Sequence, residues 1–252
     1  MPQPSSFHTK HIKAIVFDLD NTLIDHAFAE EQAMKLVLEA YHDNASIGAV
    51  LREQPTSFLH AYRLHNERLW HDLAFKRITA EELRWMRFAA TLAELLPDAT
   101  TQDTERLGQD MGEAYLRLYK RNWRLLEGAN DLLNTLEHRF KLGVITNGFR
   151  DQQRGKLAQF GWEERFQTVV LSDEVGVMKP HAEIFRIAEE RLRCSPDELV
   201  YVGDNYVSDV EGANNAGWRT IWLNPALPTK PDNCADATVQ TLAEILPLFQ
   251  HD

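Results

Sequence analysis

Hydrophobic and polar positions follow two different rhythms along this chain. Between His26 and about Asn122, apolar residues recur every three or four positions in four stretches: Ala29 to Tyr41, Phe58 to Leu73, Ala80 to Leu96 and Thr104 to Tyr119. That spacing keeps apolar side chains on one side of a helix, so four or five helices are predicted. Asp43-Asn44, Pro55 and Pro97-Asp98 read as loops between them, and Thr79 with Glu82 has the spacing of a capping box at a helix start. The large side chains of this segment, among them Tyr62, Trp70, Phe75, Trp85, Phe88 and Trp123, are expected to form a bundle core. His60, His65 and His71 lie five and six residues apart, which does not place them on one helical face, so they are expected at the surface or in packing rather than on a metal.

The second rhythm is one of short apolar runs. Ala14 to Phe17 is continuous and β-branched, which predicts a central strand buried on both faces. After Leu125, strands and helices alternate: a helix over Glu127 to His138, a strand over Lys141 to Ile145, a helix over Gln152 to Phe160 stopped by Gly161, and a strand over Thr168 to Leu171. There follow a helix over His181 to Arg191, a strand over Leu199 to Val202, a helix over Val207 to Ala216 stopped by Gly217, and a strand over Thr220 to Leu223. Five strands alternating with helices predict an α/β fold with a doubly wound parallel sheet. The predicted organisation is a core of residues 1–25 and 124–252 carrying an inserted helical bundle over 26–123.

Composition narrows the functions open to such a fold. With 252 residues and 44% apolar side chains, the chain can bury a substantial core. Its 38 acidic against 27 basic side chains give a formal charge of −11, which disfavours a nucleic-acid polymer or an anionic membrane as partner. The first ten residues are polar with two prolines, and no stretch reaches the length of a bilayer span, so a soluble, unexported protein is expected. Cys194 and Cys234 form no Cys-x-x-Cys pair, which suggests neither zinc nor a disulfide framework and fits a reducing cytoplasm.

Candidate chemistry gathers at the carboxyl ends of the predicted strands, where open α/β sheets bind ligands. The first strand ends in Asp18 and Asp20; the second in Thr146-Asn147-Gly148, whose hydroxyl, amide and bare backbone suit phosphate oxygens. The third runs on to Lys179-Pro180, an ammonium just before a predicted helix start, and the fourth ends in Gly203-Asp204 with Asp209 five residues on. Each alone has a plain structural use. Asp18 can simply end a strand, Asp20, Asn21 or Asn147 can make a turn, Lys179 can be a solvated charge, and Asp204 and Asp209 can serve a loop and a helix cap.

Taken together, Asp18-Leu-Asp-Asn-Thr22, Thr146-Asn147, Lys179-Pro180 and Gly203-Asp204 through Asp209 resemble, in order, the four motifs of the haloacid dehalogenase superfamily. The resemblance spans the chain, including a helical cap inserted after the first motif. It implies strand order 3-2-1-4-5, Asp18 as nucleophile, and Mg²⁺ held by the Asp18 carboxylate, the Asp20 backbone carbonyl and Asp204, with Asp209 in support. Such a crowd of carboxylates in a cleft needs a cation, and hard oxygen ligands suit Mg²⁺. Asp20 would be the general acid and base, while Thr146, Asn147, Gly148 and Lys179 would bind the phosphoryl group. Dehalogenases of the superfamily lack the second aspartate, so Asp20 favours phosphoester hydrolysis over dehalogenation.

Further runs, Ile145-Thr-Asn-Gly-Phe149, Ser172-Asp-Glu-Val-Gly-Val-Met-Lys-Pro180 and Trp222-Leu-Asn224, are similar to the pyrimidine 5'-nucleotidase branch. The expected partner is therefore a small phosphorylated metabolite, a nucleoside 5'-monophosphate first, acted on by a monomer or homodimer. A sugar phosphate of the N-acylneuraminate 9-phosphate type or flavin mononucleotide comes next. A phosphomutase, a haloacid dehalogenase or a catalytically silent interaction module on the same fold ranks below these.

Overall fold

The computed structural model of the protein describes residues 10–226 and 232–249, and the polar, proline-bearing start of the chain lies outside them. Two compact units result: one combines the chain up to His26 with the chain from Arg124 onwards, and the other is Ala27–Trp123.

In the first unit, β1 (Ala14–Phe17), β2 (Lys141–Thr146), β3 (Thr168–Leu171), β4 (Leu199–Gly203), β5 (Arg219–Leu223) and β6 (Ala237–Val239) form one parallel sheet in the order β3-β2-β1-β4-β5-β6. β1 lies between β2 and β4, with Phe17 in register with Val144 and Val202. Its four side chains are buried in alternation on two faces: Ile15 and Phe17 join a cluster with Leu132, Leu133 and Ile245, while Ala14 and Val16 join one with Ile184, Phe185 and Trp218. Burial on both sides is why the strand reads as continuously apolar. The sheet thus has one strand more than the five the sequence predicts. β6 is three residues of Ala-Thr-Val with no apolar run, added beside β5.

The second unit is all helical, with α1 (His26–Ala40) crossing the boundary and α2 (Gly48–Glu53), α3 (Pro55–Ala74), α4 (Ala80–Leu95) and α5 (Thr101–Arg121) within it. Pro55, expected in a loop, begins α3, since a proline lacks only an N–H that a first helical turn leaves unpaired anyway. Thr79 and Glu82 make the expected reciprocal capping box on α4. On α5, Gly108 and Gly112 let the α4 backbone approach: a Cβ at Gly108 would lie 2.7 Å from the Ala89 nitrogen, and one at Gly112 2.9 Å from the Arg84 carbonyl oxygen. Tyr62, Phe88 and Trp123 are buried as expected, whereas Trp70 and Trp85 are half-buried and Phe75 is 62% exposed beside His71. His65 pairs with Glu94 across α3 and α4.

Back in the first unit come α6 (Ala129–Leu136), α7 (Arg150–Gln159), α8 (Ser172–Val175), α9 (Ala182–Leu192), α10 (Gly212–Asn215) and α11 (Ile245–Leu248). The helix expected over Val207 to Ala216 is instead a π-helical turn, Tyr206–Glu211, running into α10. Gly161 and Gly217 adopt positive φ, 68° and 84°, where the preceding helices stop. No helix of the described residues is long and apolar enough to cross a membrane.

Candidate active site

Asp18 follows β1 directly, and its backbone N–H donates to the Val202 carbonyl at 2.8 Å, so its position is fixed by the sheet. The residue is only 7% exposed, and its Oδ1 accepts from the Lys179 Nζ at 2.7 Å. Burial pushes the Asp18 carboxyl well above its ordinary value; the Lys179 charge pulls it back, and Asp209 and Asp204 add to the rise.

Lys179 is not a solvated charge. It is 5% exposed, and its Nζ donates to Asp18 Oδ1 at 2.7 Å, Asp209 Oδ1 at 2.7 Å and the Tyr201 hydroxyl at 2.8 Å. Those three bonds use all the hydrogens an ammonium has. Burial opposes the charge, but Asp18 and Asp209 outweigh it and hold the Lys179 pKa well above the ordinary lysine value. Tyr201, on β4, passes its own hydrogen to the Ile145 carbonyl at 2.8 Å, anchoring the cluster to β2.

Asn147 supports the same lysine from below. Expected to face a phosphate, its side-chain amide instead donates to the Lys179 carbonyl at 2.9 Å and accepts from the Lys179 N–H at 2.8 Å. These two bonds make it a clamp on the Lys179 backbone. Asp209 is likewise held on all sides: Oδ1 also accepts from Ser208 Oγ at 3.0 Å, and Oδ2 from the Asn205 N–H at 2.9 Å. Gly203 makes room for it, since a Cβ there would lie 2.3 Å from Asp209 Oδ2.

Asp204 completes the acidic group. Its backbone carbonyl accepts from Trp222 Nε1 at 2.9 Å and its Oδ1 lies 3.4 Å from the Thr22 hydroxyl. Burial, reinforced by the Asp209 charge, pushes its carboxyl up to about 7. Oxygens of Asp18, Asp204 and Asp209 all lie within 4.8 Å of one another. Three converging carboxylates against one ammonium leave an excess of negative charge on hard oxygen donors, a set that fits a divalent cation such as Mg²⁺.

Asp20 stands apart from this group. Its Oδ2 accepts from Gln153 Nε2 at 2.9 Å, and its Oδ1 is paired with the Lys156 ammonium. Burial favours the neutral acid, but the charges of Lys156 and His26 and the hydrogen bonds from Lys156 and Gln153 outweigh it, so the Asp20 carboxyl lies below its ordinary value. Gln153 Nε2 also donates to Thr146 Oγ1 at 2.8 Å. At Gly148 a Cβ would fall 2.0 Å from that nitrogen, so the bare backbone expected to meet phosphate also gives the Gln153 side chain its space.

The structure therefore gathers Asp18, Lys179, Asp204 and Asp209 into one cluster and Asp20, Thr146, Gln153 and Lys156 into a second. Tyr201, Gln153 and Lys156 escaped the sequence reading. Tyr201 sits inside an apolar strand run, and Gln153 and Lys156 belong to a helix whose buried face, Gln152, Gln153, Lys156 and Leu157, is mostly polar and carries no hydrophobic signal. A lysine at the spacing of buried helix positions was the one available clue.

Against known proteins, residues 12–217 match the model of the haloacid dehalogenase-like hydrolase family. The chain is 35% identical over 190 residues to the pyrimidine 5'-nucleotidase YjjG of Escherichia coli, covering 73% of this chain and 79% of that protein. It is 31% identical over 244 residues to the glyceraldehyde 3-phosphate phosphatase of Methanopyrus kandleri, covering 93% and 96%. Among solved structures, magnesium-bound YfnB of Bacillus subtilis superposes with a TM-score of 0.77 at 26% identity, covering 95% of this chain and 99% of that one.

Proposed function

The chain belongs to the haloacid dehalogenase-like hydrolases, and we propose from that premise that it is a Mg²⁺-dependent phosphomonoesterase acting through an aspartyl-phosphate, with a nucleoside 5'-monophosphate as substrate. The observation that carries the reading is the pair of acids two residues apart in opposite settings. Asp18 is joined to Lys179 within the acidic cluster, whereas Asp20 is held separately by Gln153 and Lys156. Displacing a halide needs one carboxylate; displacing an alkoxide needs a second that handles a proton.

In the first step an Asp18 oxygen attacks phosphorus and the bond from phosphorus to the ester oxygen breaks. The Asp20 carboxyl, despite its burial held below its ordinary value by the Lys156 charge in the free protein, is raised again by the negative charge of the entering phosphate; it takes up a proton with the substrate and gives it to that oxygen. In the second, water attacks the phosphorus of the aspartyl-phosphate, its proton passes to Asp20, and inorganic phosphate leaves with Asp18 restored. Lys179, fixed between Asp18 and Asp209, and the Thr146 hydroxyl bear on the phosphoryl oxygens as charge moves between them. Mg²⁺, held by Asp18, Asp204 and the Asp20 carbonyl with Asp209 in support, would supply the positive charge that lets these carboxylates and a phosphate share one site. Action on a small metabolite rather than a nucleic-acid polymer belongs to the same proposal and is supported by the net charge of −11; action in the cytoplasm is supported by two cysteines, Cys194 and Cys234, that are both free.

The substrate class rests on the runs quoted from the sequence and on the name of the E. coli relative. A sugar or triose phosphate is the second reading, favoured by the near full-length match to the Methanopyrus phosphatase. A panel of nucleoside monophosphates, sugar phosphates, glyceraldehyde 3-phosphate and flavin mononucleotide, assayed for phosphate release with Mg²⁺ and with excess chelator, tests both. Highest kcat/KM on a pyrimidine nucleotide supports the proposal, and preference for a sugar phosphate replaces its substrate. No turnover of any ester by folded protein overturns it.

A further inference from the structure

Two buried residues with no part in the steps above hold the group that is asked to transfer protons. Gln153 and Lys156 lie three residues apart on α7, hence on one side of it, and both are buried. Between them they engage both oxygens of the Asp20 carboxylate. The Gln153 amide nitrogen donates at once to Asp20 Oδ2 and Thr146 Oγ1, so the proton-transfer group and a phosphate-facing hydroxyl hang on one atom.

The amide presents its nitrogen, not its oxygen, to both partners: Asp20 Oδ2 and Thr146 Oγ1 each accept from Gln153 Nε2. Its Oε1 is then buried with no hydrogen-bond partner among the described residues. Leaving such an acceptor unpaired costs about 1 to 3 kcal/mol, so the arrangement is not one that stability alone selects. Because Thr146 Oγ1 accepts from Gln153, its own hydrogen is directed elsewhere and is available to a phosphoryl oxygen. Gly148 leaves the volume that the amide occupies.

We propose that Lys156 and Gln153 are positioning residues for proton transfer: they fix the Asp20 carboxylate in one place and tie that place to the phosphate-facing Thr146 hydroxyl. The inference rests on the phosphatase reading above. It makes the loss of Lys156 felt where Asp20 is needed, and the loss of Gln153 felt there most and, through Thr146, to a smaller extent on every ester.

The test is kcat/KM for wild type, Lys156→Met, Gln153→Leu and Lys156→Arg on two esters: an alkyl phosphate such as a nucleoside 5'-monophosphate, whose leaving oxygen needs a proton, and p-nitrophenyl phosphate, whose leaving group departs without one. In Lys156→Met and Gln153→Leu the ratio of alkyl to aryl kcat/KM is expected to fall at least about tenfold, the low end of what general acid help is worth. Lys156→Arg is expected to recover most of the ratio, and Asp20→Asn with Lys156→Met to be no worse than Asp20→Asn alone. Equal losses on both esters, or losses that multiply in the double variant, would make these residues mere packing and overturn the inference. Circular dichroism confirms folding; if Lys156→Met does not fold, Gln153→Leu and Lys156→Arg decide by the same ratio. Wild type that hydrolyses neither ester overturns the phosphatase reading and this inference with it.

Discussion

Both units of the molecule bury cations, and Lys179 in one and Arg87 in the other are satisfied in different ways. In the α/β unit, Lys179 meets two carboxylates and a phenol with all three of its hydrogens. In the helical unit, Arg87 lies over the Tyr115 ring at 4.8 Å and over the Tyr62 and Phe88 rings at 5.6 Å each, donates from Nη1 to Asn66 at 3.1 Å, and leaves Nε without a hydrogen-bond partner among the described residues. Ring faces reward a diffuse guanidinium packed among them. Opposed point charges at strand ends reward a fixed ammonium, and they leave an acidic surplus that packing alone has no use for. The contrast separates a charge packed among the rings of a bundle from one fixed among carboxylates, where the proposed chemistry would use it.

The largest effect that can break this contrast is at the proposed nucleophile, Asp18. Asp18→Asn removes the attacking oxygen while nearly matching the carboxylate in shape, so turnover is expected to fall below detection with the melting temperature held or raised. Real turnover by the purified variant would remove Asp18 from its role. Lys179→Ala comes next, with kcat expected to drop roughly 10² to 10³-fold, the usual worth of one preorganised charge aimed at a transition state. A loss of only a few-fold would place Lys179 with Arg87 as a structural cation. For Arg87→Met, turnover of p-nitrophenyl phosphate is expected to stay within about threefold, and stability to change by no more than about 2 kcal/mol, since apolar replacements of buried charges are often tolerated. If Arg87→Met lost activity as heavily as Lys179→Ala, the contrast would fail.

The smallest effect sharpens the electrostatic side. The Asp204 carboxyl is pushed up to about 7, first by burial and then by the Asp209 charge. A carboxyl whose pKa is raised by folding favours the folded state while protonated. Without a cation, its contribution therefore falls as pH climbs from the ordinary carboxylate range through about 7. A cation that binds the ionised form offsets this loss, so the rise in melting temperature caused by Mg²⁺ should be larger near about pH 8 than near about pH 5.5. Equal rises at both would mean that the acidic cluster is not where the cation acts.

Much of this was legible in the residues. β1 could be read because a strand buried on both faces is apolar at every position, and the strand-end motifs because polar groups there have few structural excuses when four recur in order. β6 could not, since three residues at a sheet edge carry no periodic signal. Neither could the π-helical turn over Tyr206–Glu211, whose side-chain pattern resembles that of a helix. The site was half visible: Asp18, Lys179, Asp204 and Asp209 are brought together, but the direction of Asn147 and the hold of Gln153 and Lys156 on Asp20 depend on a helix packing a polar face inward. Hydrophobic patterning is blind to that choice.

The central claim is that Asp18 carries the phosphoryl group between two steps that both need Asp20. It is tested most directly with Asp20→Asn and p-nitrophenyl phosphate, a substrate that loads the enzyme without a proton donor but leaves no base to clear it. Acid quench after a few turnover times, digestion and mass spectrometry of the peptide that spans Asp18 should show one phosphoryl group on that residue, in an amount approaching one per active site and matched by a burst of p-nitrophenolate. Steady release of p-nitrophenolate without a burst, with Asp18 unmodified or the phosphoryl group on another residue, would contradict the account.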